Sequence, residues 1–154
     1  MQDWKREMCK RNGHEWVLAH TTYKTADGEV NNRGIHNEIP EFFVEDPQRR
    51  GFLLISPMHA YEIEEDYGEE EGEAGVRAPR WFALYFALVD SNHRRQGVLR
   101  AMIDEVRTRL SSGSILWLEC RRDTAPCWAA LNFSPASYDP GFIRTCDCAF
   151  KLVI

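Results

Sequence analysis

The sequence predicts an α/β fold, and three stretches carry that prediction. An unbroken apolar run from Trp81 to Val89 suits a central strand covered on both faces. An amphipathic stretch from Gln96 to Leu110 follows, with Val98, Met102, Ile103, Val106 and Leu110 on one stripe. A second apolar run, Ser114 to Cys120, comes next. Strand, helix and strand at these lengths predict parallel strands joined by a right-handed crossover.

A basic turn joins the first strand to the helix: Ser91-Asn92-His93-Arg94-Arg95-Gln96-Gly97, after Asp90. A helix start leaves backbone N–H groups without partners, and the helix dipole adds positive charge there. An anion can rest on those groups. Gly97 tolerates a positive φ and lets backbone approach a ligand closely. Arg94, Arg95 and Arg100 add charge around the same point, so the turn reads as a pyrophosphate cradle. It lacks the Gly-Lys-Ser/Thr ending of a P-loop and the repeated glycines of a dinucleotide-binding turn.

The other elements follow from local signals. Trp4 and Met8, four apart, predict one face of a short helix before the Asn12-Gly13 turn. Glu15 to Thr22 reads as a first strand, closed by the turn Ala26-Asp27-Gly28-Glu29, with a polar loop over 31–37. Phe42, Phe43 and Val44 form a short apolar patch ended by Asp46-Pro47. Phe52 to Ile55 is a buried strand that ends or bends at Ser56-Pro57. Met58 to Glu65 alternates in part, as the next strand of a meander would. An acidic run, Glu62 to Glu73, reads as a loop. Ser111-Ser112-Gly113 stops the amphipathic helix, and Pro126 suits the first turn of another at 125–131. Ser134 to Gly141, with two prolines, reads as a loop, and Phe142 to Ile154 as a long alternating strand.

Composition narrows the class of function. At 154 residues, one domain with a real core is expected. A net charge of −5 argues against a nucleic-acid partner, which normally meets a basic face. No apolar run approaches the ~18 residues that span a membrane. The N-terminus lacks an apolar signal core, so a cytoplasmic setting is expected. Five cysteines are an odd number without the look of a disulfide framework. Cys146 and Cys148 share a strand face, but zinc would need two further ligands and the histidines are scattered, so no metal is expected. Cys120 and Cys127 read as core thiols.

Val89 to Leu99 resembles the acyl-CoA cradle of the GNAT superfamily of N-acyltransferases. Its Arg/Gln-x-x-Gly-x-Gly/Ala pattern is filled by Arg94, Gly97 and Leu99. Leu116 to Arg121 resembles the next strand, and Ala125 to Phe133 the following helix with its closing Leu-Gly-Phe, Asn132 standing for Gly. The likeness covers roughly residues 80–153. It implies a mixed, twisted central sheet flanked by helices, whose parallel strands at 81–89 and 114–120 splay past the cradle. It also implies a single domain over 1–154, with residues 1–79 on the substrate side and 80–154 on the acyl-CoA side.

The resemblance assigns roles. The backbone of Leu88 and Val89 would hold the pantetheine and acyl carbonyl. Arg94, Arg95, Gln96, Gly97, Val98, Leu99 and Arg100 would hold the pyrophosphate. Leu99 stands where Gly or Ala is usual, which brings a bulkier side chain toward the phosphates. Asp123 and Thr124 lie where an Asn often bonds the cofactor, and both also suit a helix cap. Trp128 falls where a Tyr often serves as general acid. It is counted with the cofactor-binding residues, because indole gives up no proton at neutral pH. The acid role passes to Tyr138 or water, with Tyr85 as a further candidate.

Glu119 is the candidate base: it is the only carboxylate in an otherwise apolar strand and lies near its C-terminal end. Some members with a similar Leu-Trp-Leu-Glu stretch use that Glu as base, while the plain alternative is a strand-end Glu paired with Arg121 or Arg144. The implied activity is transfer of an acetyl group from acetyl-CoA to a primary amine: a small amine, a lysine or a protein N-terminus. The rival is an inactive module that binds acyl-CoA as a sensor or grips a protein partner. A homodimer is left open. The acidic run would attract a cationic acceptor or simply be a solvated loop.

Overall fold

The computed structural model describes residues 2–17, 42–57, 81–136 and 148–154. Helix α1 (Asp3–Arg11) is followed by strands β1 (Phe42–Glu45), β2 (Gly51–Pro57) and β3 (Trp81–Val89). A 3₁₀ turn (Ser91–His93) leads into α2 (Val98–Arg109), then β4 (Ile115–Cys120), α3 (Ala125–Ala130), β5 (Ser134–Pro135) and β6 (Cys148–Val153). The strands form one mixed sheet in the order β1-β2-β3-β4-β6-β5. Among the described strands only β3 and β4 pair in parallel; β1–β2, β2–β3, β4–β6 and β5–β6 are antiparallel. The parallel pair is the one joined by α2, as the spacing predicts.

Each face of the sheet carries a helix. The expected stripe of α2 is buried: Val98, Met102, Ile103, Val106 and Leu110 join Leu53, Ile55, Phe82, Leu84, Leu116, Leu118, Phe150 and Leu152 in the main core. Leu53 and Ile55 alternate with Phe52 and Leu54, so the latter two face the other way. There they meet Met8 and Cys9 of α1, with Phe86 and Leu88 of β3. Burial raises the Cys9 thiol above its ordinary pKa. Lys5 is buried on the same helix, paired with Glu45 and seated 4.3 Å from the centre of the Phe43 ring.

A β-bulge divides β3. Leu54 pairs with Phe86 and the next residue, Ile55, with Leu84, so Tyr85 is the extra residue of β3 at the register shift. One extra residue reverses which side chains face which way. Phe82 and Leu84 lie in the main core before the bulge, and Phe86 and Leu88 lie under α1 after it. This is why the run is apolar throughout instead of alternating.

Several expectations change. Residues 15–17 are helical rather than the start of a strand, with Val17 donating to the His14 carbonyl at 3.1 Å. A short apolar run carries too little periodicity to separate the two. Ser134 and Pro135, expected in a loop, form a two-residue edge strand on β6. An edge position tolerates the missing amide of proline. Cys120 is buried as expected, whereas Cys127 is exposed. The strand expected at 58–65, the acidic run, Tyr138, Arg144 and Cys146 lie outside the described residues. No described helix is long and apolar enough to cross a membrane. Among the described residues no group of three or more His, Cys, Asp or Glu could hold a metal ion.

Candidate functional site

The parallel strands separate almost as soon as they meet. Trp81, Phe82 and Ala83 pair with Ile115, Leu116 and Trp117, and the ladder ends there. Beyond that point β4 continues to pair with β6, and β3 with β2. The bulge at Tyr85 lies just past the last parallel pair and adds the local bend that such an insertion brings. A wedge therefore opens between β3 and β4 toward their C-terminal ends. Leu88 and Val89 stand at its mouth, laddered only to Phe52 and Gly51 of β2. The Leu88 side chain is buried under α1, and Val89 is half-buried against the main core.

The basic turn closes that mouth. Asp90 caps the 3₁₀ turn, its carboxylate accepting from the Asn92 amide at 3.5 Å. Arg94 is extended and its Nε donates to the Val89 carbonyl at 3.4 Å. Gln96 Nε2 donates to the Asn92 carbonyl at 3.2 Å. Arg95 and Gly97 both take left-handed backbone, with φ of 62° and 77°. Gly97 is the residue before α2 and offers no capping side chain. The first intrahelical bond of α2 runs from the Ala101 amide to the Gly97 carbonyl at 3.0 Å. The amides of Val98, Leu99 and Arg100 therefore precede the first amide that donates within their own helix. A methyl group on Gly97 would meet no described residue within 4 Å. The Leu99 side chain packs half-buried against the main core.

Arg100 reaches the other way, donating to the Ala130 carbonyl at 2.9 Å and tying the start of α2 to the end of α3. A cation at a helix C-terminus complements the dipole there. Thr124 precedes α3, but its hydroxyl donates to the Arg121 carbonyl at 2.9 Å and caps no helix amide. Asp123 pairs with Arg121 at 3.0 Å. Trp128 is buried in the main core, its ring edge-on to Phe133 with centroids 5.4 Å apart. Asn132 takes the left-handed backbone expected of it, with φ of 67°.

Glu119 belongs to the wedge. Leu116, Leu118 and Cys120 of β4 face the main core, so Ile115, Trp117 and Glu119 lie on the α1 face. Glu119 is half-buried there, on the part of β4 that has already left β3. Its register partner on β6 is Ala149.

The fold as a whole has counterparts in solved structures. A GNAT-family protein from Desulfovibrio desulfuricans superposes with a TM-score of 0.58 at 20% identity, over 99% of this chain and 92% of that one. The Bacillus subtilis N-acetyltransferase YlbP, in complex with coenzyme A, superposes with a TM-score of 0.59 at 12% identity, over 100% of this chain and 92% of that one. This chain has the GNAT fold. No protein-family model matches the sequence, and no curated protein does. The GNAT fold here comes with the mixed sheet and splayed parallel pair that the resemblance implies.

Sequence reasoning misses four residues that shape the cradle. Gly51 faces Val89 across β2 and β3. Asp46 is buried and gathers the β1–β2 turn, accepting from the Gln48 and Arg50 amides at 3.0 and 3.2 Å and from the Arg50 side chain at 2.9 and 2.8 Å. The hydrogen bond from the Arg50 side chain outweighs burial and holds the Asp46 carboxyl below the usual carboxylate range. The other two, Arg11 and Asn12, reach the cradle from α1. An aspartate before a turn is a visible signal. A partner 79 residues away, as between Arg11 and Asp90, is not.

Proposed function

We propose that the chain is an acyl-CoA-dependent N-acyltransferase, most simply one that moves an acetyl group from acetyl-CoA to a primary amine. The observation that carries this reading is the wedge between β3 and β4, which opens directly onto the amides at the start of α2. The Leu88 and Val89 backbone on the wedge wall would align the pantetheine and acyl carbonyl, and the amides of Val98 to Arg100 with Arg94 and Arg95 would hold the pyrophosphate. The packing of Leu99 against the core supports an open cradle. Acyl transfer then asks for a donor to the developing oxyanion and for deprotonation of the attacking ammonium. Glu119, on the separated part of β4, would take that proton directly or through water, with attack in a ternary complex. Tyr138 or water would protonate the departing thiolate.

A second reading has one observation in its favour. Trp128 stands where a proton donor is common in this fold and is buried in the core. A module lacking that donor would bind acyl-CoA without turnover.

Calorimetry with acetyl-CoA tests the first reading, with Arg95→Ala and Gly97→Glu beside the wild type. Binding by the wild type and its loss in both variants is the expected result, and absence of wild-type binding overturns the reading. Thiol release in a screen of amines then separates enzyme from module.

A further inference from the structure

The cradle is held from the far side of the sheet. Asp90, at its entrance, is 7% exposed. Arg11 Nη2 donates to its Oδ2 at 2.5 Å. The next residue, Ser91, donates its amide to Asn12 Oδ1 at 3.2 Å, while Asn12 Nδ2 donates to the Met8 carbonyl at 2.9 Å. Both bonds come from the end of α1, which packs on the face opposite α2 through Met8 and Cys9. The Asp90 amide meanwhile donates to the Arg50 carbonyl at 2.9 Å. The turn's first two residues are thus fixed, while its later residues include the left-handed Arg95 and Gly97.

We propose that Arg11 and Asn12 are positioning residues for the phosphates of the acyl-CoA, and that docking of α1 and occupancy of the cradle favour one another. This rests on the acyl-CoA reading above. A turn anchored in advance has less conformational freedom to lose when a ligand orders it. Arg11 also balances a carboxylate that would otherwise stand buried and uncompensated beside an anion site. Coupling between two sites is reciprocal in binding free energy, so coenzyme that profits from docked α1 must stabilise docked α1 in return.

The test is calorimetry with coenzyme A on the full chain, wild type against Arg11→Gln and Asn12→Ala, together with hydrogen exchange of α1 with and without coenzyme A. Each variant should bind about tenfold more weakly, the scale of one lost hydrogen bond to a charged or fixed group. Amides of α1 should exchange more slowly when coenzyme A is bound to the wild type, and this response should shrink in both variants. In turnover, KM for acetyl-CoA should rise while kcat and the acceptor KM hold. Should Arg11→Gln unfold, Asn12→Ala decides, since it leaves the ion pair intact. Wild-type affinity in the variants, or α1 exchange indifferent to coenzyme A, overturns the proposal alone. A wild type that binds no coenzyme A overturns the acyl-CoA reading and the proposal with it.

Discussion

A Cβ on Gly51 would stand 2.7 Å from the Leu88 carbonyl oxygen, with Met102 Cε at 3.0 Å and Val89 Cγ2 at 3.3 Å. The close approach of β2 to the end of β3 therefore depends on a hydrogen atom at that position. Gly51→Ala has no cheap way out, because the nearest neighbour is backbone. It should destabilise the fold by about 1–3 kcal/mol, as overpacking does, and weaken coenzyme A binding by displacing Val89. Gly97→Ala is the contrast: its methyl group meets no described residue, and the positive φ opposes it. Its cost should be about 1 kcal/mol, the left-handed penalty of an L-residue. Urea unfolding of both variants checks the order. A larger loss in Gly97→Ala would show that backbone conformation, not space, limits the cradle.

Stability should fall on the acid side through Asp46 and Asp90. The Arg50 side chain holds Asp46 below its ordinary value. For Asp90 burial acts to raise the value, but the hydrogen bonds from Arg11 and the Asn92 amide and the charges of Arg11 and His93 together leave it lowered. For a lowered carboxyl the unfolded chain binds more protons through the window, so stability rises with pH there. The contribution is complete above the unfolded value, about 3.9 for Asp, and is lost as pH falls through the folded one. Asp46→Ala should cost about 2 kcal/mol at neutral pH, roughly 5 °C in Tm, and flatten the acid limb of a Tm-against-pH curve. An unchanged acid limb would remove Asp46 from that role.

Legibility in the sequence tracks the range of the interaction. The α2 stripe, the crossover it makes and the left-handed Asn132 are all visible because each depends on neighbours within a turn or two. The bulge at Tyr85 is invisible because β3 is apolar on both sides of it, and a register shift in such a run leaves no break in pattern. The helix at 15–17 is missed because so short a stretch, with Trp16 and Val17 its apolar residues, fits either period. Within the site, Arg94 to Gly97 announce themselves by charge and glycine. Asp90, Arg11 and Asn12 do not, since polar residues at turns and helix ends are ordinary until the fold brings them together.

Trp128 should matter to the fold before it matters to chemistry. It is 9% exposed and stacks edge-on with Phe133. Trp128→Ala should cost about 3–5 kcal/mol, typical of a large aromatic removed from a core. Trp128→Tyr keeps most of the ring and should cost less. If the tyrosine variant released thiol faster than the wild type at equal coenzyme A affinity, a proton donor at this position would be the missing part, and the module reading would gain.

Glu119 separates enzyme from module most directly. It is half-buried on the α1 face of β4, past the last residue that pairs with β3, and it has left the core stripe formed by Leu116, Leu118 and Cys120. A structural glutamate there would affect stability; a base would affect the rate. Glu119→Gln keeps the shape and a hydrogen-bonding group while removing the proton acceptor. It should lower kcat by about a hundredfold or more, the usual scale for a general base, with acetyl-CoA affinity and Tm close to wild type. Equal rates in Glu119→Gln and wild type would take the base assignment away from Glu119 and leave deprotonation to solvent.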